Sequence, residues 1–563
     1  MVKERRNQFI LISVALAVAC PSLRVGFHFD DWWQLVVARG VPFSEALTNM
    51  FVFAGPGGAP VPCWWADPDL KLAFFRPLSS LLVLVDDTLF GDVAALWHAH
   101  QIAWWVALVL LVRGVHKVAL PRRAGVLSAT VFALDDAHLF PIAWLANRNA
   151  LVSTVFGMLA LIAHARWRRD GDRRLMAAEI VAWALAFAGG EGALSMLAYV
   201  IAWEGLAAMD GRATRARSLA PAFGVFAAWA VLYKTLGYGT AGSGSYHDPL
   251  NDPLGWAWDA PPRLLALLGQ LLGRAPVDAW FVVPALWWWP IIVGLVSVPV
   301  WAWLLRTFAR LEPARWYGLR WLIAGAFLSI IPLLSTFPSS RLLLAPSIGT
   351  SAVIGALVEH VWRTRKSVER PSRAHRIVVY FMAFGAFVVA PASLGTQTEV
   401  LRQYARFFYE TAQQADLGSA DQISVVLYAP DPTMMVYMPA VHYLSGKAPH
   451  PWAVLSMAPY RHVFHRVSDT VLDVEIVDGH MMGTEWEKLF RRRPLRTGDV
   501  VPWGDATVEV LAADRVGPTR LRLRASRSLD DPRVAWLTYA DGRFAPTALP
   551  RVGADLVVDP LVP

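Results

Sequence analysis

Through residue 394 the chain alternates long apolar runs with short polar breaks. Apolar stretches near 9–23, 92–112, 124–140, 150–165, 175–189, 193–208, 219–235, 281–305, 317–337, 342–361 and 377–394 have, or approach, the length of a bilayer-crossing helix. These eleven segments predict a polytopic α-helical membrane domain over 1–394. Two breaks are long, 24–91 and 236–280. The first closes on 77–91, where Leu78, Leu81, Leu82, Leu84, Val85 and Leu89 predict an amphipathic helix at the membrane surface. The second opens on the glycine-containing stretch 239–246, expected to be flexible, and continues into an apolar run, 264–272, expected to lie on the membrane. After 395 the spacing changes. Runs such as 423–428, 471–477, 507–511 and 520–524, set between turn residues, predict strands and hence a small β-rich or α+β domain over 395–563.

Composition agrees with the pattern: 55% of the 563 residues are apolar, and 27 are Trp. The net charge of +8 does not indicate nucleic acid, because the basic residues cluster between apolar runs. Examples are Arg166, Arg168, Arg169, Arg173 and Arg174, and later Arg363, Arg365, Lys366, Arg370, Arg373 and Arg376. Such clusters mark cytoplasmic loops, so the N-terminus is expected inside and both long loops and the C-terminal domain outside. The Arg-, Ala- and Trp-rich composition points to a bacterial inner membrane. Arg5 and Arg6 ahead of 9–23 suit either a signal peptide or a first membrane helix. Two cysteines, Cys20 and Cys63, exclude a disulfide framework and a Cys-based zinc site.

Chemistry-bearing residues gather at the outer ends of these segments. Asp30 and Asp31 follow the first apolar run within Phe27–Trp33, as either a base or metal-ligand pair, or a cap on the next helix. Arg76, beside Pro77, suits a phosphate or an acidic partner. Asp86 and Asp87 sit within an apolar helix, where an orienting role fits best. Asp135, Asp136 and His138 are candidate ligands for a divalent cation, or a solvated loop. Arg148, the lone basic residue of its loop, suits an anion. Glu191 and Arg341 stand at two further outer turns.

In this order the pieces resemble the membrane glycosyltransferases of the C superfamily (GT-C), especially bacterial relatives of the transmembrane, tetratricopeptide-repeat O-mannosyltransferases. The likeness covers about 9–360. It rests on Phe29-Asp30-Asp31, Arg76-Pro77-Leu78, Asp86 through Phe90-Gly91, His98, Ala143 through Leu151, Glu191 and Ser340 through Gly349. The chain departs from the pattern at Asp135-Asp136 and Phe140-Pro141, where relatives carry His-Pro and then a glutamate, and at Gly190, which replaces a lysine. No tetratricopeptide repeat follows.

The resemblance implies an uncleaved first helix and an inverting hexosyltransferase. Its donor would be a polyprenyl-phosphate-linked sugar, and its acceptor a protein, lipid or cell-envelope glycan on the outer face. Asp30 becomes the base, with Asp31 as orienter or metal ligand. Arg148 or Arg341 would hold the departing phosphate, and Arg76, Asp86 and Glu191 the substrate. A divalent metal is a candidate cofactor; membrane lipid is the surrounding partner. A transporter or flippase, and a noncatalytic envelope assembly protein, are the competing classes.

Overall fold

The computed structural model describes residues 2–58, 61–367, 370–419, 421–447, 451–540 and 542–560. Among them, seven helices are long and apolar enough to cross a membrane: Glu4–Arg24, Ala94–Ala119, Leu145–Asp170, Trp288–Leu311, Pro313–Ser335, Ser340–Thr364 and Arg373–Gln414. Two bent pairs, Arg122–Leu134 with Asp136–Ala143 and Arg212–Ser218 with Ala220–Thr235, raise the count to nine if each is one span. The helix Ala193–Leu206 is apolar but shorter.

The most enclosed span is Ser340–Thr364. Its small residues allow that position. A Cβ on Gly349 would stand 2.2 Å from the Leu322 carbonyl oxygen, and one on Gly355 2.2 Å from Ser128 Oγ. Neighbouring helices therefore approach backbone to backbone, as small-residue seams permit. At the far end of the bundle, helix-end charges neutralise one another: Arg168 bonds Glu204 and Asp210, and Glu312 pairs with Arg315 and Arg363.

The two long loops meet. Lys71–Ala73 of the first pairs antiparallel with Val52–Ala54 of the same loop and with Gly239–Ala241 of the second. The predicted surface helix forms over Pro77–Phe90. The stretch expected to be flexible is pinned instead: Gly244 N–H donates to Lys488 O at 2.8 Å, and Arg492 N–H to Gly242 O at 2.8 Å. Glycine permits both contacts, since Gly242 has φ +71° and a Cβ on Gly244 would lie 2.9 Å from Lys488 O. The run 264–272 does not turn to lipid either. It belongs to the helix Pro253–Gly273, with Leu267, Leu268, Leu271 and Leu272 buried. Gly269 and Gly294 have no room for a Cβ against the facing backbone, which brings this helix close to Trp288–Leu311.

The C-terminal region is β-rich, and all four predicted strands are present. Six antiparallel strands run in the order Asp555–Val558, Arg461–Ser468, Val471–Val477, Pro518–Ala525, Ala506–Ala513 and Val500–Trp503. Alternate residues, such as Leu472, Val474 and Ile476, face the core. A second sheet orders Arg543–Pro546, Val534–Ala540, Ile423–Val426 and Trp452–Val454.

This region packs against the first long loop. Val454 N–H donates to Pro62 O at 2.8 Å, Cys63 bridges Val454, and Trp64 Nε1–H donates to Leu455 O at 2.8 Å. Trp32, Trp64, Trp65 and Leu72 of the first loop share one apolar core with Phe408, Val426 and Met438. Residue 394, expected as the domain boundary, falls within the continuous helix Ala390–Gln414.

A candidate active site between the loops and the bundle

A cavity of about 700 Å³ opens at the bundle end that carries both long loops. Helix ends supply Asn147, Asn149, Glu191 and Arg341, the loops supply Asp30, Arg76 and Tyr246, and the C-terminal region supplies Tyr437 and Trp486. Most of the wall is apolar, with Phe29, Phe51, Phe74, Trp144 and Phe337 among its rings.

The adjacent aspartates diverge. Phe29 holds a left-handed backbone (φ +49°), with its ring 5.6 Å from that of Trp144 and 5.4 Å from that of Tyr404. A non-glycine residue held there is strained by about 1–2 kcal/mol. The next residue, Asp30, already has helical angles and makes no capping bond to the helix Asp31–Gly40. Its carboxylate lies at the cavity wall and accepts from the Tyr437 hydroxyl. Burial pushes the Asp30 carboxyl above its ordinary range, while Tyr437, Arg341 and Arg76 pull it down. Burial and the Asp30 charge keep the Tyr437 phenol well above its own ordinary value, so it remains a donor.

Asp31 faces away from the cavity. Its two oxygens accept the backbone N–H groups of His28, at 3.0 Å, and Ala146, at 2.7 Å. Burial raises it to about 8, against the pull of those donors. The side chain ties the loop to the start of the helix Arg148–Asp170. His98 supports the same loop, its Nε2 lying 3.1 Å from Gly26 O.

The remaining candidates fall into two sets. Arg76, Glu191 and Arg341 line the cavity with Asp30. Arg76 Nε–H donates to Glu191 at 2.7 Å, and its guanidinium lies over the rings of Phe51 and Phe74. Arg341 has no carboxylate within salt-bridge distance among the described residues; it lies over Trp144 and Phe337 and donates to Tyr246 Oη at 3.3 Å. Asp86 and Arg148 do not line the cavity. They pair with each other, 0% and 2% exposed, and Asp86 also meets His100 Nδ1 at 2.6 Å. Arg148 further donates to Gln101 Oε1 and Trp97 O. Arg148, expected to meet an anion, thus meets the Asp86 carboxylate within the protein. Asp87 likewise bonds Arg39, at 2.7 Å.

The candidate metal ligands do not converge. Asp135 accepts from Ala137 N–H at 3.2 Å, Arg274 lies 3.1 Å from Asp136 and 3.7 Å from Asp135, and His138 is packed between Trp105 and Phe132. Asp31 has both oxygens occupied. Among the described residues no group of three His, Cys, Asp or Glu side chains suits a metal ion. The donor sets at these positions therefore do not fit one.

Sequence reasoning missed Tyr437, which lies 407 residues from Asp30 and carries no motif. It also missed Lys234 and Asp248, a cavity-wall ion pair at 2.6 Å.

No protein-family model matches the sequence, and no curated protein matches it. Solved structures to which the chain is similar include the Archaeoglobus fulgidus oligosaccharyltransferase in complex with Zn and sulfate, at 13% identity and a TM-score of 0.47, covering 80% of this chain and 62% of that one. A second is AglB of the same organism, in complex with an inhibitory peptide and a dolichol-phosphate, at 10% identity, a TM-score of 0.43, and coverage of 79% and 64%. A third is ArnT from Cupriavidus metallidurans bound to undecaprenyl phosphate, at 13% identity, a TM-score of 0.39, and coverage of 80% and 85%. The chain spans less than two thirds of the length of the archaeal proteins.

Proposed function

We propose that this chain is an integral membrane glycosyltransferase of the outer membrane face, moving a sugar from a polyprenyl-phosphate carrier to an acceptor hydroxyl. The observation that carries this is the cavity itself: one carboxylate, Asp30, and one cation, Arg341, neither with an ion-pair partner among the described residues, share a large apolar-walled chamber at a helix-bundle end. The basic clusters lie at the opposite end of the bundle, which supports the outward orientation.

The chemistry follows from those two charges. The acceptor oxygen attacks the anomeric carbon as its proton passes to the Asp30 carboxylate. The bond from that carbon to the phosphate oxygen breaks, and its electron pair leaves on the lipid phosphate, whose charge Arg341 meets with its fork of N–H donors. A single displacement inverts the anomeric configuration. Tyr437 fixes the carboxylate by its hydrogen bond, and Asp31 acts at one remove by securing the loop.

The test uses membranes from cells producing the full chain, given a donor labelled in the sugar. Asp30→Asn should lower transfer by about 10²–10⁴-fold at normal expression, the usual contribution of a general base. Full activity in that variant would overturn the mechanism. In a strain lacking the gene, mass spectrometry should find the glycan absent and its lipid-linked sugar accumulated.

A further inference from the structure

Six charged side chains other than histidine line the cavity: Asp30, Arg76, Glu191, Lys234, Asp248 and Arg341. Four of them cancel in pairs, Arg76 with Glu191 and Lys234 with Asp248. The Arg76–Glu191 pair is arranged unlike an anion site. Its cation is compensated by a carboxylate 2.7 Å away and flanked by two phenylalanine rings, at 4.6 and 4.9 Å. Among the described residues only Nε of the guanidinium is hydrogen-bonded, and both terminal nitrogens keep their N–H donors. On the carboxylate side, Glu191 Oε1 is buried without a hydrogen-bond partner among the described residues, with the Tyr233 phenol, which donates to Ala73 O at 3.3 Å, close beside the carboxylate.

We infer that Arg76 and Glu191, with the rings of Phe51 and Phe74, form the subsite that recognises the hydroxyls of an uncharged sugar, leaving the phosphate to Arg341. This rests on the transferase reading and deepens it. A sugar hydroxyl both donates and accepts, so two neighbouring hydroxyls match an N–H edge beside a carboxylate oxygen. Aromatic rings suit the C–H face of a pyranose. A phosphate would meet the negative Glu191 and lose what Arg76 offers; a charged sugar would meet one wrong sign in either half of the pair. Arg341, with Asp278 and Asp30 in electrostatic reach but no carboxylate within salt-bridge distance among the described residues, opposes a phosphate less. Asp30 lies within electrostatic reach of both arginines, as a base acting at the bond between sugar and phosphate must.

Binding separates the two subsites without knowledge of the acceptor. The full chain in nanodiscs is titrated with farnesyl phosphates carrying mannose, glucose, galactose or arabinose, and with farnesyl methyl phosphate, which keeps the single charge and lacks the sugar. Arg76→Lys and Glu191→Gln should weaken the best sugar-bearing ligand about 10- to 100-fold, the effect of a lost hydrogen bond to a charged group. The methyl ester should bind those variants as it binds the wild type. Arg341→Ala should weaken both ligands alike. Glu191→Gln still accepts from Arg76 Nε–H, so it keeps the local fold while weakening the acceptor. Variants at 76 and 191 that weaken both ligands equally, or neither, would overturn the assignment while leaving the transferase reading intact. A wild-type protein that binds none of the farnesyl phosphates would overturn both.

Discussion

Replacing Tyr437 with Phe removes one oxygen from the cavity and leaves the ring packing in place. In the structure that hydroxyl donates to Asp30, whose carboxyl burial already pushes upward and which Tyr437, Arg341 and Arg76 pull back. A hydrogen bond to a charged group contributes about 1.5–3 kcal/mol, and one pKa unit corresponds to about 1.4 kcal/mol. Complete loss would raise Asp30 by about one to two units; cavity water would recover part of the bond, so about one unit is expected. The sign is set by the role. A base works only when deprotonated, so transfer falls as pH drops through the Asp30 pKa. In the wild type this acid limb should lie above the ordinary carboxylate value of 3.8, and in Tyr437→Phe it should move about one unit further toward neutral pH. The assay is the initial rate of sugar transfer in membranes across the acid range, with thermal unfolding of the purified variant as control. An acid limb that stays where it was, or moves to lower pH at unchanged stability, would refute the claim that Tyr437 acts on the base.

Asp30→Asn and Asp31→Asn should fail differently: the first inactive at wild-type stability, the second destabilised. An amide at 31 must turn its NH₂ toward either His28 N–H or Ala146 N–H, which costs about 1–3 kcal/mol relative to the carboxylate present above about pH 8; equal melting temperatures in detergent above that pH would contradict the division of labour. Arg148→Met strands the buried Asp86 carboxylate and should cost about 3–5 kcal/mol, with Asp86→Leu in the same chain restoring most of it. A stable but inactive Arg148→Met would instead return that arginine to the substrate.

Period and length were legible in the sequence because they follow from local geometry. The amphipathic helix ending at Phe90 and the alternating strand Val471–Val477 stand where the pattern puts them. Side-chain direction was not legible at the acidic pair. Neighbouring residues at a helix start point roughly 100° apart, so one of Asp30 and Asp31 had to face the cavity and the other the protein. Contacts far along the chain, Ala146 N–H with Asp31 across 115 residues and Tyr437 with Asp30 across 407, show which. The pairing of Asp86 with Arg148 was signalled, though not used. Two opposite charges in apolar surroundings, each without a local partner, are stable only together. Tyr437 had no such signal, since nothing in a strand-rich C-terminal region foretells a helix laid against the first loop.

Compensation of charge gives the clearest account of why some candidates reach the cavity and others do not. Desolvating an isolated ion is costly, so buried charges are usually paired or, as Asp278 is by Ser339 and Ser340, hydrogen-bonded. Asp86, Arg148, Asp87, Asp135 and Asp136 all meet partners of opposite charge within the protein, and among the described residues Asp30 and Arg341 stand in the cavity without an ion pair. Asp30 is held by a phenol and Arg341 by two aromatic faces and a phenol, which orient each group without neutralising it. Held apart in this way, the two suit opposite ends of one displacement, the proton leaving the nucleophile and the charge arriving on the phosphate.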